Sequence, residues 1–195
     1  MSDTNILRAL AATLLLLIVV ALVATTYAMP RVVDVREISI DSATGLRLYK
    51  GQPLSGTAHT YYPDASLEKA EQFVDGRRHG FLRMWFENGT PAFEAHYENG
   101  KRNGVTTSWW NNGNPRSRTT FVDDKPDGEA LSWYASGEKF KRYNYSLGRP
   151  SGLQQGWRKN GKLFANFEYR DGRTYGLKNS KMCMELNNEE LVSSL

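Results

Sequence analysis

The chain has 195 residues, the size of one ordinary domain, and is 24% charged and 40% hydrophobic, which excludes wholesale disorder. The net charge of +4 falls far short of the dense Lys and Arg stripes of nucleic-acid binders, so we expect no nucleic-acid partner. The single cysteine, Cys183, excludes an intramolecular disulfide and a cysteine-based metal cluster.

An apolar segment comes first. Residues 9–29 contain no charged side chain, and about 20 apolar residues suffice to cross a bilayer as a helix. The segment fits an uncleaved signal-anchor, and it also fits a secretory signal peptide cleaved after Ala28. Both readings place the rest of the chain in the cell envelope. It would be anchored in the inner membrane and face the periplasm, or be periplasmic or secreted if the segment is cleaved.

A period of 24 residues organises the rest of the chain, and four columns of residues follow it. The first column is Gly56, Gly80, Gly104, Gly128, Gly152 and Gly176. The second is Gly89, Gly113, Gly137 and Gly161, with Ala65 in the first position. The third is Tyr61, Trp85, Trp109, Trp133 and Trp157, and the fourth is Tyr49, Phe73, Tyr97, Phe121, Tyr145 and Tyr169. Columns in register over this length indicate a repeat protein built as a stacked scaffold.

Each repeat has the pattern of a β-hairpin. In residues 80–103, two runs rich in aromatic and apolar residues flank Asn88-Gly89, and Asn99-Gly100 follows the second run. Asn-Gly predicts a tight turn because both residues tolerate positive φ. The density of Gly and Pro argues against helices. The sequence therefore predicts an all-β, elongated single sheet of stacked hairpins.

The predicted organisation has four parts. Residues 1–29 are the signal-anchor or signal peptide, and residues 30–55 are a linker and N-terminal cap. Residues 56–176 hold five hairpin repeats, and residues 177–195 form a C-terminal cap with an acidic tail. The complete repeats, called units 1 to 5 below, are residues 56–79, 80–103, 104–127, 128–151 and 152–175.

Strand alternation assigns the aromatic columns to faces. We expect a structural role for the tryptophans and the first glycine column: Trp85, Trp109, Trp133, Trp157, Gly80, Gly104, Gly128 and Gly152. The residues that follow the tryptophan column point to the opposite face. With basic residues of the returning strands they form the candidate binding surface: Tyr62, Phe86, Trp110, Tyr134, Arg116, Arg118 and Arg142. Arg stacks on aromatic rings and pairs with carboxylate or phosphate, so this surface suits an acidic ligand.

No catalytic motif is visible. The sequence lacks a Gly-x-Ser-x-Gly elbow, a phosphate-binding glycine loop before a helix and a His-Glu-x-x-His motif. The three histidines, His59, His79 and His96, share no repeat column, so no metal site is expected. We therefore expect neither a catalytic residue nor a cofactor.

The unit G-x4-[WY]-[YFW]-x-N-G-x7-[YF]-x-x-G-x3-G resembles the variant MORN repeat of bacterial proteins, which are often labelled antitoxins of the YwqK type. The resemblance covers residues 45–178. It implies a β-hairpin scaffold for protein contacts, and MORN repeats elsewhere sometimes bind lipid head groups. Our leading hypothesis is a non-catalytic, envelope-facing scaffold that docks a partner protein. The alternative is a binder of anionic lipid or cell-wall polymer. An antitoxin-like inhibitor and an envelope hydrolase are less favoured.

Overall fold

The computed structural model describes residues 31–177, 185–187 and 190–192. The apolar segment at residues 9–29 and Cys183 lie outside the described residues. The chain divides into two units, residues 1–31 and 32–195, and all strands of the described residues lie in the second. Among the described residues, no helix has the length and apolar character needed to cross a bilayer.

The described part of the chain is all-β, as predicted. The strands are β1 (Val32–Asp34), β2 (Ile38–Ile40), β3 (Arg47–Tyr49), β4 (Gln52–Pro53), β5 (Gly56–Tyr61), β6 (Leu67–Val74), β7 (Arg77–Trp85), β8 (Pro91–Glu98), β9 (Lys101–Arg102), β10 (Gly104–Trp109), β11 (Pro115–Val122), β12 (Lys125–Trp133), β13 (Lys139–Ser146), β14 (Arg149–Pro150), β15 (Gly152–Trp157), β16 (Leu163–Arg170), β17 (Arg173–Leu177), β18 (Glu185–Asn187) and β19 (Glu190–Val192). A single 3-10 turn, Val35–Glu37, is the only helical element of the described residues.

One long sheet holds the repeats. Its order is β1-β5-β6-β7-β8-β10-β11-β12-β13-β15-β16-β17, with the short β9 and β14 beside β8 and β13. The pairs are antiparallel except β1, which adds parallel to β5 at the N-terminal edge. Strands follow one another in chain order because each hairpin pairs with the next. The predicted array of stacked hairpins is confirmed.

A small second sheet, β2-β3-β4, precedes the array. Beside it, Val33, Leu54, Ala58 and Phe73 form a buried apolar cluster, against which Ile38 and Tyr49 pack. The first repeat therefore has a core that includes residues from outside the repeats.

The two kinds of turn differ from each other. In the outer turns, between units, both central residues have positive φ, as in Asn99 (49°) and Gly100 (88°). This is the backbone of a type I′ turn, whose twist matches that of the flanking strands. In the inner turns, within units, only the glycine does, as in Gly89 (79°). The Asn of each inner Asn-Gly pair tolerates positive φ but does not take it. These turns close a four-residue loop in which the Gly89 N–H donates to the Phe86 carbonyl at 2.8 Å, and the register shows a bulge just before the loop, between Met84 and Trp85.

The first glycine column lies at a second irregularity. The register between β6 and β7 shifts between Glu71 and Phe73, opposite Gly80, which has φ of +92°. A Cβ at Gly80 would lie 2.2 Å from Gln72 Oε1. That oxygen accepts a hydrogen bond from the Phe81 N–H at 2.7 Å. Glycine is thus required here by both conformation and space.

Candidate functional site

Burial distinguishes the two faces of the sheet. In the repeats, the buried strand residues with side chains all lie on one face by strand alternation: Ala58, Glu71, Phe73, Leu82, Ala95, Thr106, Gln154, Ala165 and Phe167. We call this the packed face. The opposite face carries the tryptophan column, whose members from Trp85 to Trp157 are half-buried, and we call it the tryptophan face. The structural core thus consists mainly of small, apolar and polar side chains on the face opposite the tryptophans.

The residues after the tryptophan column join one unit to the next. The Tyr62 hydroxyl donates to the Trp85 carbonyl at 2.8 Å, and the Tyr134 hydroxyl donates to the Trp157 carbonyl at 2.9 Å. In the central unit, the Trp110 indole N–H donates to the Trp133 carbonyl at 3.2 Å. Burial raises the pKa of the Tyr134 hydroxyl, which agrees with its half-buried position. These side chains therefore serve as contacts between repeats.

The outer turns supply a second set of contacts between units. The Gly100 N–H donates to the Arg78 carbonyl at 2.7 Å, and the equivalent N–H of Asp124 donates to the Arg102 carbonyl at 3.0 Å. The Arg102 guanidinium also lies 4.0 Å from the centre of the Phe121 ring. The first three junctions, from unit 1 to unit 4, are thus hydrogen-bonded at both ends of the hairpin.

The structure does not bring the predicted binding residues together. Arg116 does meet Trp110, with its guanidinium 4.7 Å from the ring centre. Arg118, however, pairs in register with Thr107 and lies on the tryptophan face. Arg142 likewise pairs with Leu131 and binds the Glu129 carboxylate at 2.5 Å. Strand alternation places Arg118 and Arg142 on the tryptophan face, so the predicted set is divided between the two faces, and its role in binding stays a prediction. Phe86, the remaining member of the set, is half-buried after the last residue of β7.

The tryptophan face of units 2 and 3 combines apolar, aromatic and basic groups. Phe81 and Val105 are 39% and 42% exposed and occupy equivalent positions in the two units. Arg83 lies over the Phe81 ring at 4.5 Å and binds Glu94 at 2.6 Å. Arg118 is exposed and forms no ion pair in the part of the chain that the structure describes.

A groove of about 260 Å³ lies on the tryptophan face between units 4 and 5. Its lining is Glu129, Leu131, Ser132, Trp133, Lys139, Lys141, Arg142 and Trp157. Trp133 and Lys139 face each other in the register at the bulge that ends the strand pair β12-β13. The bulge is a local distortion that can redirect side chains, and such distortions are frequent beside binding sites.

A larger groove of about 540 Å³ lies at the N-terminal end of the sheet. The loop that follows β1 forms one wall, and Tyr61 and Tyr62 form the other. Arg36 donates a hydrogen bond to the Asp34 carboxylate at 2.7 Å and holds the pKa of that carboxyl at about 2. The sequence did not predict this groove, because its walls come from two segments without a shared period.

Residues 31–177 and the two short tail strands contain no group of three or more His, Cys, Asp or Glu side chains that could hold a metal ion. His59 contacts Tyr61, with 3.1 Å between Nδ1 and the hydroxyl oxygen, and His96 packs edge-on against Phe81. These two histidines therefore have aromatic neighbours within the sheet.

Comparison with known proteins bears on the repeats alone. The family model described as the MORN repeat variant matches residues 78–99 and 102–123, in adjacent units. No curated protein matches the chain significantly. The two matches lie on neighbouring hairpins of the array, so residues 78–123 are similar to tandem copies of the MORN repeat variant.

Proposed function

We propose that this protein is a non-catalytic scaffold that docks a partner protein on the tryptophan face of units 2 and 3. The observation that carries the proposal is the difference between the two faces. The packed face is used by the fold, whereas the tryptophan face, which carries half-buried Trp85 and Trp109, exposes Phe81 and Val105. Exposed apolar groups with Trp and Arg are the composition of interface hot spots.

Arg118 supplies the charge on this surface. Its guanidinium is exposed and has no ion-pair partner among the described residues, so it is free to bind a carboxylate of the partner. Arg83, three strands away in the same cross-strand row, is already paired with Glu94. The surface therefore suits a partner that presents an acidic side chain next to apolar ones.

The apolar segment at residues 9–29 supports a location in the cell envelope. Anchored by this segment, or released after its cleavage, the repeats would meet partners on the outer side of the inner membrane. A binder of anionic lipid is the alternative, since the chain carries a net charge of +4.

The docking proposal is tested with the full chain and a membrane-impermeant crosslinker in spheroplasts. We compare the wild type with Val105→Glu/Arg118→Glu, which places two carboxylates on the proposed surface. The matched control is Val122→Glu/Arg149→Glu, which makes the same types of change near the outer turns, where both side chains are exposed. Wild type and control should yield the same crosslinked protein, and the surface variant should lose it by about tenfold or more, equivalent to ~1.4 kcal/mol.

Equal crosslinking by all three proteins would place the docking site elsewhere. If instead no protein is crosslinked, and vesicles containing phosphatidylglycerol bind the wild type but not the surface variant, the lipid alternative replaces the proposal. The absence of any crosslink in spheroplasts, with a crosslink in lysed cells, would contradict the location.

A further inference from the structure

The groove between units 4 and 5 differs in chemistry from the same place in the other units. Lys139 occupies a position that is Leu67, Pro91, Pro115 and Leu163 elsewhere in the array. Lys139 is therefore a charged residue where every other unit has an apolar one. Because the hairpins share one backbone pattern, this difference is not a requirement of the fold.

A second position departs in the same unit. Glu129 stands where units 2, 3 and 5 have Phe81, Val105 and Leu153. The Glu129 carboxylate binds Arg142, and both line the groove. Unit 4 thus replaces two apolar positions by opposite charges on the same groove.

The polar groups of the groove can serve a ligand in different ways. Lys139 is exposed and forms no ion pair among the described residues, so its ammonium can bind an anion. Lys141 pairs in register with Ser132, so its side chain lies on the packed face, where its ammonium is 4.4 Å from the centre of the Phe140 ring. The paired Glu129 and Arg142 offer an acceptor and donors side by side, the arrangement that orients hydroxyl groups. Trp133 and Trp157 add apolar surface at the same groove.

The size and the backbone limit the ligand. The groove, at about 260 Å³, lies just below the range of ~300–1,000 Å³ that holds drug-sized molecules, so it takes one ring-sized group. Strands β12, β13 and β15 are hydrogen-bonded to one another, so an incoming peptide has no strand edge to extend at this place. A sugar ring needs no backbone partner. Its hydroxyls bind charged side chains, and its apolar face packs on an indole.

We propose that the groove of unit 4 binds a saccharide that carries a carboxylate. The carboxylate pairs with Lys139, the hydroxyls bind Glu129 and Arg142, and the ring packs against Trp133 or Trp157. This site is separate from the docking surface of units 2 and 3, so either proposal can fail without the other.

The test titrates the full chain in detergent micelles with three probes. The first is a tetrasaccharide of alternating glucuronate and N-acetylglucosamine, the second is the neutral tetramer of N-acetylglucosamine, and the third is a tetraglutamate peptide. Binding is measured by calorimetry and by tryptophan fluorescence. We expect the acidic saccharide to bind most tightly, and we expect its affinity to fall as NaCl rises from about 0.05 to 0.5 M.

The variants use residues that the array already accommodates. Lys139→Leu introduces the residue of unit 5. It should weaken binding of the acidic saccharide about tenfold and leave the weak binding of the neutral tetramer unchanged. Glu129→Val introduces the residue of unit 3 and should weaken binding of both saccharides. Lys125→Ala, at the other end of strand β12, removes an exposed lysine outside the groove and should change nothing. Melting curves confirm that each variant is folded.

Three results would overturn the proposal. One is equal affinity of Lys139→Leu and the wild type for the acidic saccharide. Another is binding of the neutral tetramer as tight as that of the acidic one. The third is binding of tetraglutamate alone, or of none of the probes. Tetraglutamate binding lost in Lys139→Leu would assign the groove to acidic peptides.

Discussion

At the scale of single residues, Glu71 is the buried charge of the first hairpin. It is 5% exposed, and its carboxylate binds Lys69 at 2.8 Å and Arg78 at 2.9 Å. Burial alone would raise the pKa of Glu71, but the two cations outweigh burial and hold the pKa below its ordinary value of 4.5. The ionised carboxylate therefore stabilises the fold at neutral pH, and this contribution is lost as the pH falls below about 4.5 and through the lower, folded-state pKa.

We predict that Glu71→Gln destabilises the protein at pH 7 by about 1.5–3 kcal/mol, the magnitude for hydrogen bonds to a charged group. It should also remove part of the loss of stability in acid. The measurement is the free energy of unfolding in urea between pH 3 and pH 7. Glu94→Gln, which breaks the exposed pair with Arg83, is the control and should cost well under 1 kcal/mol. A wild-type pH profile in Glu71→Gln would show that the buried pair does not govern acid stability.

The sequence could not identify this residue. Its equivalents in the other units are Ala95, Thr119, Tyr143 and Phe167, so the column has no common chemistry that a search for repeated residues would detect. The columns that do repeat hold positions where every unit needs the same backbone geometry, such as the positive φ of Gly80. Burial in this sheet depends on which neighbours cover a position, and those neighbours differ from unit to unit.

At the scale of the hairpin, the inner turn joins the two strands of a unit, and the outer turn connects that unit to the next. The 24-residue period and the Asn-Gly pairs were sufficient to predict hairpins and their order. They could not predict that Tyr62, Trp110 and Tyr134 each donate to a backbone carbonyl of the next unit, because these three residues share only a ring and a donor group. The period therefore defines each hairpin, whereas the contacts between hairpins depend on side chains that the period does not specify.

We predict that Tyr134→Phe lowers the free energy of unfolding by about 0.5–1.5 kcal/mol, because it removes one hydrogen bond to the Trp157 carbonyl and leaves the ring in place. The matched control is Tyr97→Phe, because the Tyr97 hydroxyl forms no hydrogen bond with the described residues. Urea denaturation measures both. If the two variants lose equal stability, the bond between units 4 and 5 contributes nothing measurable.

At the scale of the whole array, the junctions are similar enough for units to be exchanged. Deleting residues 128–151 joins Asp127 to Gly152 and brings Trp110 next to Trp157, whose carbonyl can replace that of Trp133. We predict that the shortened protein folds and unfolds cooperatively. The slope of its unfolding free energy against urea concentration should fall by about one fifth, since five units become four.

Far-ultraviolet circular dichroism and urea denaturation measure this outcome. Deleting only residues 128–139 removes one strand and the inner turn of the hairpin, and it should unfold the C-terminal part of the array. Equal damage from the two deletions would mean that the array is one indivisible core and that its units are not interchangeable.

The presence of bonds at both ends of a junction has a mechanical consequence. At the inner end the donor belongs to the earlier unit, as in Tyr134 to Trp157, whereas at the outer end it belongs to the later one, as in Gly100 to Arg78. A pull along the array, across the strands, therefore loads both ends of the outermost hairpin together. Under tension the sheet should yield one hairpin at a time from a terminus, each release lengthening the chain by roughly 80 Å, the reach of 24 extended residues. If the N-terminal segment anchors the chain, as proposed above, such a sheet would lengthen under tension in discrete, equal steps.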